Sequence, residues 1–563
     1  MMKILVDPTA ADAVNVATQL TEIAREVPDQ VAVAVPRHYK DGRRLYETMT
    51  FAKLDHDSTV IASGLRRMGI RRGCRLALMV RPGIDFISLT FALLKAGAVS
   101  VLIDPGMGKK NVIRCLTEVE PEGFIAIPPV HVIRVLLRKR FRRARFNVTV
   151  GPRWFWSGPT LEELRHDDGS VLPSANTLRD EPAAIIFTSG STGPPKGVLY
   201  THGTFAGQVK QIRERFGIEP GGVDVAGFPL FGLFNGAMGT TTVIPDMDAT
   251  RPASVDPLKY IEAIRDWNAN QSFASPAVWN KVGKYCCARG IRLGSLRRVL
   301  SAGAPVPVHV LHWMTQIIHP DGDIFTPYGA TEALPVASIS AREVLGETAE
   351  QSLAGAGTCV GKRFPDIHWK VIPISDDPIK SIEDVQPLPP GQTGELIVQG
   401  SVVTRQYVTR TAANPLAKIT DGDSVWHRMG DVGYLDDNDR FWFCGRKSHR
   451  VQVPGGTMFT VPCEAIFNRH QDIYRSALVG LGKIGSQTPC IVCEPWPEKW
   501  PQSESELNRL RGELAQMAST SWLTDSIQQR HILFRKSLPV DIRHNSKIFR
   551  EQIAEWASSK LDT

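Results

Sequence analysis

Residues 183–197 read A-A-I-I-F-T-S-G-S-T-G-P-P-K-G, and this stretch constrains the chain more than any other. The apolar run 183–187 follows Pro182 and has the length and composition of a buried strand. It breaks into Thr188, Ser189, Gly190, Ser191, Thr192 and Gly193, then two prolines and Lys196. Glycines let the backbone approach an anion and turn its N–H groups inward. The hydroxyls add donors and the lysine adds a compact positive charge. Together these make a phosphate-gripping loop at a strand end. It is not the P-loop of nucleotide hydrolases, which needs G-x-x-x-x-G-K-[ST]; from Gly193 the chain reads G-P-P-K-G.

Such a loop needs a sheet behind it, and the flanking sequence predicts one. Residues 74–80 and 98–103 read as strands, with a helix from Pro82 to Ala96 between them and another at 59–68 capped by Ser58. Strands alternating with helices point to a doubly wound α/β sheet, and D-P-G-M-G at 104–108 is a turn at a strand end, where such folds bind ligands. Residues 224–235 read as an apolar strand and turn in which Phe231 and Phe234 are candidate pocket walls. Asp256 and Pro257 open a helix to Trp267. The run 394–400 alternates as an antiparallel strand does, 427–443 reads as a hairpin turning at 436–439, and 445–450 as a polar, basic hinge. Ser503 and Glu506 have the capping-box spacing.

At 563 residues more than one core is expected, since single cores stop growing at about 250–300 residues. The net charge of +8 suits an acidic ligand, an acidic partner or an anionic surface. Seven cations crowd residues 134–145 among apolar residues, a basic amphipathic pattern suited to a membrane surface or an acidic partner, and equally to a solvated helix face. No nucleic-acid reader motif accompanies it, so nucleic acid is not an expected partner. Nine dispersed cysteines do not form a disulfide framework, and Cys490-x-x-Cys493 is expected to be a strand with incidental thiols. With no signal-type N-terminus and no uninterrupted apolar span, a cytoplasmic protein is expected.

The loop at 188–197, Y-G-A-T-E at 328–332, Gly430-Asp431 and a terminal lysine, Lys547, stand in the order of the adenylate-forming superfamily. The chain resembles that family of acyl-CoA synthetases, luciferases and nonribosomal adenylation domains over nearly its whole length. The resemblance implies a large N-terminal domain of doubly wound sheets with a small β-barrel-like part, and a small mobile α+β C-terminal domain. The division falls at 1–446 and 447–563. It also implies ATP and Mg²⁺, with the loop residues through Lys196 on the β- and γ-phosphates, Glu332 on the metal and Thr331 at the α-phosphate. Ser301, Gly303, Ala304, Pro305, Tyr328 and Gly329 would border the adenine. Asp431 would hold the ribose, Arg446 the ribose or phosphate, and Lys547 would reach the reacting oxygens.

Departures from the family pattern narrow the expectation. His449 and Gln452 stand where the family has an acid and a lysine at the pivot. The loop 453–462 is two residues longer than the common pattern, and Ser546 replaces the glycine before Lys547. In thioester-forming relatives this hinge lines the CoA tunnel. The combination looks most like the branch that activates a long-chain 2-alkyl-3-hydroxyalkanoic acid and closes it to a β-lactone in olefin biosynthesis. Members of that pathway assemble with neighbouring enzymes, for which residues 134–145 are a candidate contact. Phe231, Phe234, Gly236, Ala237, Met238 and Gly239 are candidate linings for two alkyl arms. A long-chain acyl-CoA synthetase is the alternative enzyme, and an inactive adenylate-binding scaffold the alternative of another class. His427, His449 and His544 are candidate bases.

Overall fold

The computed structural model describes residues 14–166, 169–188, 193–228, 230–540 and 547–561. Short aliphatic runs form a six-stranded sheet in the order Phe146–Thr149, Gly123–Ala126, Arg75–Met79, Val99–Leu102, Pro182–Phe187 and Gly197–Thr201. The first five strands are parallel and the last pair antiparallel. Parallel strands covered on both faces carry near-continuous apolar runs, which is why 183–187 was legible.

A second sheet of fourteen strands has a parallel stretch through Thr241–Val243, Val223–Ala226, Gln271–Ala274, Arg298–Ser301 and Asp323–Ala330. It continues antiparallel through Ala333–Ser340, Thr358–Arg363, Arg440–Arg446, Ser424–Leu435, Gly394–Gln399 and His368–Ile372. This antiparallel run stays open, so the barrel-like part expected from the resemblance is a sheet extension among the described residues, not a closed barrel. The hairpin at 427–443 lies in it. The Asp436 carboxylate accepts from the Asn438 and Arg440 amides, both at 2.9 Å, and thereby shapes the turn.

Asp256 caps the helix Pro257–Asp266, accepting from the Leu258 amide at 2.9 Å. The Ser58 cap is corrected: the helix starts at Phe51, with Thr50 accepting from the Lys53 amide at 3.3 Å. Burial of Phe51, Leu54, Ile61 and Leu65 carries the apolar stripe two turns further back, leaving Ser58 buried inside it. Residues 224–235 are corrected too. After the strand ends at Ala226 the chain forms a helix, Phe231–Met238, whose apolar residues pack on both sides. The basic segment is not one amphipathic helix; the helix Pro128–Leu136 stops and residues 138–145 turn, with Phe141 buried against Phe124.

The small C-terminal part holds a three-stranded sheet, Ile473–Leu481, Thr488–Pro495 and Ile532–Phe534. Two clusters of buried side chains drawn from residues 451–557 make its cores. Cys490 and Cys493 are buried in the Thr488–Pro495 strand, and burial pushes the Cys490 thiol up to about 12. Ser503 accepts from the Glu506 amide at 3.2 Å to start the helix Glu504–Ser519. The loop expected at 453–462 begins as a hairpin, Val451–Val453 with Gly456–Met458, turning at Pro454-Gly455. Among the described residues no helix is long and apolar enough to cross a membrane.

His202, the first residue of the helix His202–Phe216, is fully buried; its Nδ1 accepts from the Val16 amide at 3.4 Å and Nε2 has no partner. Burial, with Arg72 nearby, lowers its pKa to about 4. A folded pKa below the unfolded value means that the neutral ring's contribution is present above about pH 6.5 and lost as pH falls towards 4, an effect of about 3 kcal/mol. Denaturant unfolding of a His202→Leu variant should therefore show a shallower loss of stability across that window than the parent chain.

Candidate active site

The C-terminal ends of parallel strands from both sheets open on one cavity of about 2310 Å³, reached by Met79, Leu102, Phe187, Ala226, Phe273 and Leu300. Ligands of open α/β sheets bind at such ends.

The phosphate loop is closed at its base by a reciprocal pair. Thr188 N–H donates to the Lys196 carbonyl and the Lys196 amide donates to Thr188 Oγ1, both at 3.0 Å. Thr188, Gly193 and Lys196 border the cavity. Ser189, Gly190, Ser191 and Thr192 lie outside the described residues. The neighbouring segment 403–409 runs along the strand after the loop: Val408 N–H donates to the Gly197 carbonyl at 2.9 Å, and the Gly197 amide donates to Thr409 Oγ1 at 2.8 Å. That segment brings in Tyr407, over whose ring Lys196 Nζ lies 4.5 Å from the centroid.

Thr331 and Glu332 are the two turn residues of the hairpin formed by Asp323–Ala330 and Ala333–Ser340. Gly329 precedes this turn, and a Cβ there would stand 2.7 Å from the Ala333 carbonyl oxygen, so the tight hairpin requires glycine. Tyr407 donates to Glu332 Oε1 at 2.6 Å, the Thr404 hydroxyl and amide donate to the Glu332 carbonyl, both at 2.9 Å, and Tyr200 donates to the Thr331 carbonyl at 2.6 Å. The turn is therefore held from beneath by hydroxyls while its side chains face the cavity.

Asp431 and Arg446 sit opposite each other on adjacent strands and pair at 2.9 Å. Tyr328 donates to the other oxygen of Asp431. Burial raises the Asp431 pKa while Arg446 opposes the shift, and Asp431 in turn raises Arg446. Gly303, Ala304 and Pro305 follow the Arg298–Ser301 strand, with Gly303 at φ +97° in a conformation that favours glycine. Ser301 Oγ is buried with no partner, and Lys547 borders the cavity from the C-terminal side.

Of the pocket residues, Phe231 and Phe234 line the cavity with Ala237, one face of their helix. Gly236 and Met238 are not on its wall. Gly236 faces Phe91, whose ring a Cβ would meet at 2.8 Å, and Met238 is fully buried in the core. A helix presents positions three apart together, which the strand-and-turn reading could not anticipate.

Lys418, Tyr407 and Thr404 had not been singled out. Lys418 donates to the Thr404 carbonyl, lies 5.9 Å from the Tyr407 ring centroid, and is pushed by burial down to about 7 although Glu332 opposes the shift. A lone lysine in a strand looks solvated in sequence, so nothing marked it. His427 and His449 border the cavity. Burial lowers both, His449 to about 4 and His427 also through Lys418. His544 lies outside the described residues.

Thr188, Lys196, the Thr331–Glu332 turn, the Asp431–Arg446 pair and Lys547 thus border one cavity. Residues 20–408 match the AMP-binding enzyme family, and the chain belongs to that family. It is 43% identical over 557 residues to an olefin beta-lactone synthetase of Stenotrophomonas maltophilia, covering 97% of this chain and 99% of the relative. It is also 43% identical over 555 residues to an olefin beta-lactone synthetase of Xanthomonas campestris pv. campestris, covering 97% and 98%. Its fold is similar to that of ATP-bound MatB from Rhodopseudomonas palustris, with a TM-score of 0.77 at 17% identity over 98% of this chain and 100% of that one.

Proposed function

We propose that the protein uses ATP to activate a long-chain 2-alkyl-3-hydroxyalkanoic acid to an acyl-adenylate, and that the acid's own 3-hydroxyl then closes a β-lactone with release of AMP. The observation that carries this reading is the convergence of Lys196, Glu332, the Asp431–Arg446 pair and Lys547 on a cavity that also has an apolar stretch of wall, through Phe231, Phe234, Val209 and Ile212. Full-length similarity to olefin beta-lactone synthetases supports the substrate class.

Carboxylate and triphosphate repel each other, so cations must be in place before the carboxylate attacks the α-phosphorus. Lys196 offsets the charge of the leaving diphosphate and Lys547 that of the reacting oxygens, Thr188 and Thr331 add hydroxyl donors there, and Asp431 takes the ribose hydroxyls. Gly303, Ala304, Pro305, Tyr328 and Gly329 form the base-binding wall. Mg²⁺ fits this site through the Glu332 carboxylate at the cavity, since Mg²⁺ is commonly held by one or two carboxylates plus substrate phosphates. When bound it offsets phosphate charge.

In the second half-reaction the 3-hydroxyl oxygen bonds to the acyl carbon, the bond from that carbon to the phosphate oxygen breaks, and the hydroxyl proton leaves. An internal nucleophile has a high effective molarity, so no CoA tunnel is needed. An apolar pocket keeps water from the adenylate. Burial lowers His449 to about 4, so its ring is neutral and weakly basic at neutral pH.

The division at 1–446 and 447–563, with rotation of the second part about the hinge at 445–450, belongs to the same proposal. It is supported by the separate cores of the C-terminal part. So do contacts of residues 134–145 with companion enzymes of the pathway or with a membrane surface. Incubation with ATP, Mg²⁺ and the hydroxy acid without CoA should give continuous AMP formation. The same acid lacking the 3-hydroxyl should stop after one adenylate per enzyme; continuous turnover of that analogue would sink the lactone step. Phe234→Trp should shift the preferred chain length downward by filling the wall, read by competition between acids, and unchanged preference would remove Phe234 from the alkyl site.

A further inference from the structure

Beside the edge strand Phe146–Thr149 the chain leaves large apolar side chains in water. Leu136 is 77% exposed, Phe155 70%, Trp154 56% and Ile133 42%. Ile133 and Leu136, with exposed Pro129, fall along one stripe of the helix Pro128–Leu136. Trp154 and Phe155 are held up by a fixed post. Trp156 is buried, stacks on His131 of that helix at 5.3 Å and donates to Thr149 Oγ1 at 2.8 Å, with the Trp154 and Phe155 rings 5.6 and 5.1 Å from it.

The same edge is strongly basic. Arg138, Lys139, Arg140, Arg142, Arg143, Arg145 and Arg153 are all exposed. The acids that meet them are Glu120, 3.2 Å from Arg143, and Glu163, 3.1 Å from Arg153. An apolar stripe carrying Trp and Phe, rimmed by Arg and Lys, has the composition of an interfacial anchor. Juxtaposed cations add attraction to anionic headgroups.

We infer that this face docks the protein on an anionic lipid bilayer, with the helix Pro128–Leu136 lying in the headgroup plane. Val130 of that helix, and Ile127 just before it, border the cavity, so the proposed lipid contact and the cavity wall lie on neighbouring parts of one element. The purpose rests on the proposed long-chain substrate, which partitions into bilayers, as does its lactone; the binding itself does not.

Flotation of the full-length protein with phosphatidylcholine vesicles, with and without phosphatidylglycerol, tests the inference. The protein should float only with the anionic vesicles, and high salt should release it. The double variant Trp154→Ala, Phe155→Ala should weaken binding and abolish a blue shift of tryptophan emission on vesicle addition. Each of Arg138→Gln, Arg140→Gln and Arg142→Gln should lower partitioning about fivefold. AMP formation from detergent-dispersed acid should be unchanged in all of them, which separates failure of docking from failure of the reaction. No flotation with anionic vesicles at low salt, equal flotation of the variants, or salt-sensitive capture by an acidic protein without vesicle binding would each overturn it.

Discussion

Replacing Lys547 with alanine should slow adenylate formation about 10²–10³-fold, the loss seen when one preorganised group is removed from developing charge. Lys196 and Arg446 are fixed on the large sheets, at the phosphate loop and opposite Asp431. Lys547 borders the cavity from the C-terminal part; on the proposed reading its removal leaves nucleotide binding in place and takes away charge where the carboxylate oxygen meets the α-phosphorus. ATP affinity measured by equilibrium binding should change little while AMP formation collapses. Equal losses in both, or an unaffected rate, would take Lys547 out of the chemistry.

The second large effect concerns stability. Glu395 and Arg428 are paired at 2.5 Å with both side chains 1% exposed, and Lys447 Nζ donates to the same Glu395 oxygen at 3.1 Å. Arg428 also donates to the Asp377 carbonyl at 2.7 Å and to that of Ser375. Glu395→Ala strands two cations in the interior, and breaking one side of a buried pair costs about 3–5 kcal/mol. Replacing Glu395 and Arg428 together by leucine should restore much of that loss. Chemical denaturation would show both, and a single variant as stable as the parent would mean that water reaches the cluster. Lys447 lies within the proposed hinge, so this cluster also holds the segment on which the C-terminal part would turn.

Sequence carried the site further than it carried the local structure. Thr188, Lys196, Glu332, Asp431 and Lys547 sit in short motifs whose residue types suit the proposed phosphate, metal and ribose contacts, and the structure gathers them around one cavity. The alternation at 394–399 and the turn at Asp436 were legible because a half-buried strand and an Asx turn each have a period or residue of their own. The helix Phe231–Met238 was not, since an apolar run this short fits helix and strand alike until its neighbours are known. Tyr407 escaped notice for a related reason: its partner Glu332 is 75 residues away, and nothing nearby announces the contact. The basic amphipathic pattern at 134–145 could not show where its helix ends, since Phe141 folds inward against Phe124 beyond Leu136.

The measurement that bears most directly on the reaction uses the hydroxy acid labelled with ¹⁸O in its carboxylate, incubated with ATP and Mg²⁺, with and without CoA. Both products would be weighed by mass spectrometry. Activation followed by internal closure predicts one heavy oxygen in AMP and one in a lactone lighter than the acid by the elements of water, whether or not CoA is present. A CoA thioester, or AMP carrying no heavy oxygen, would contradict it.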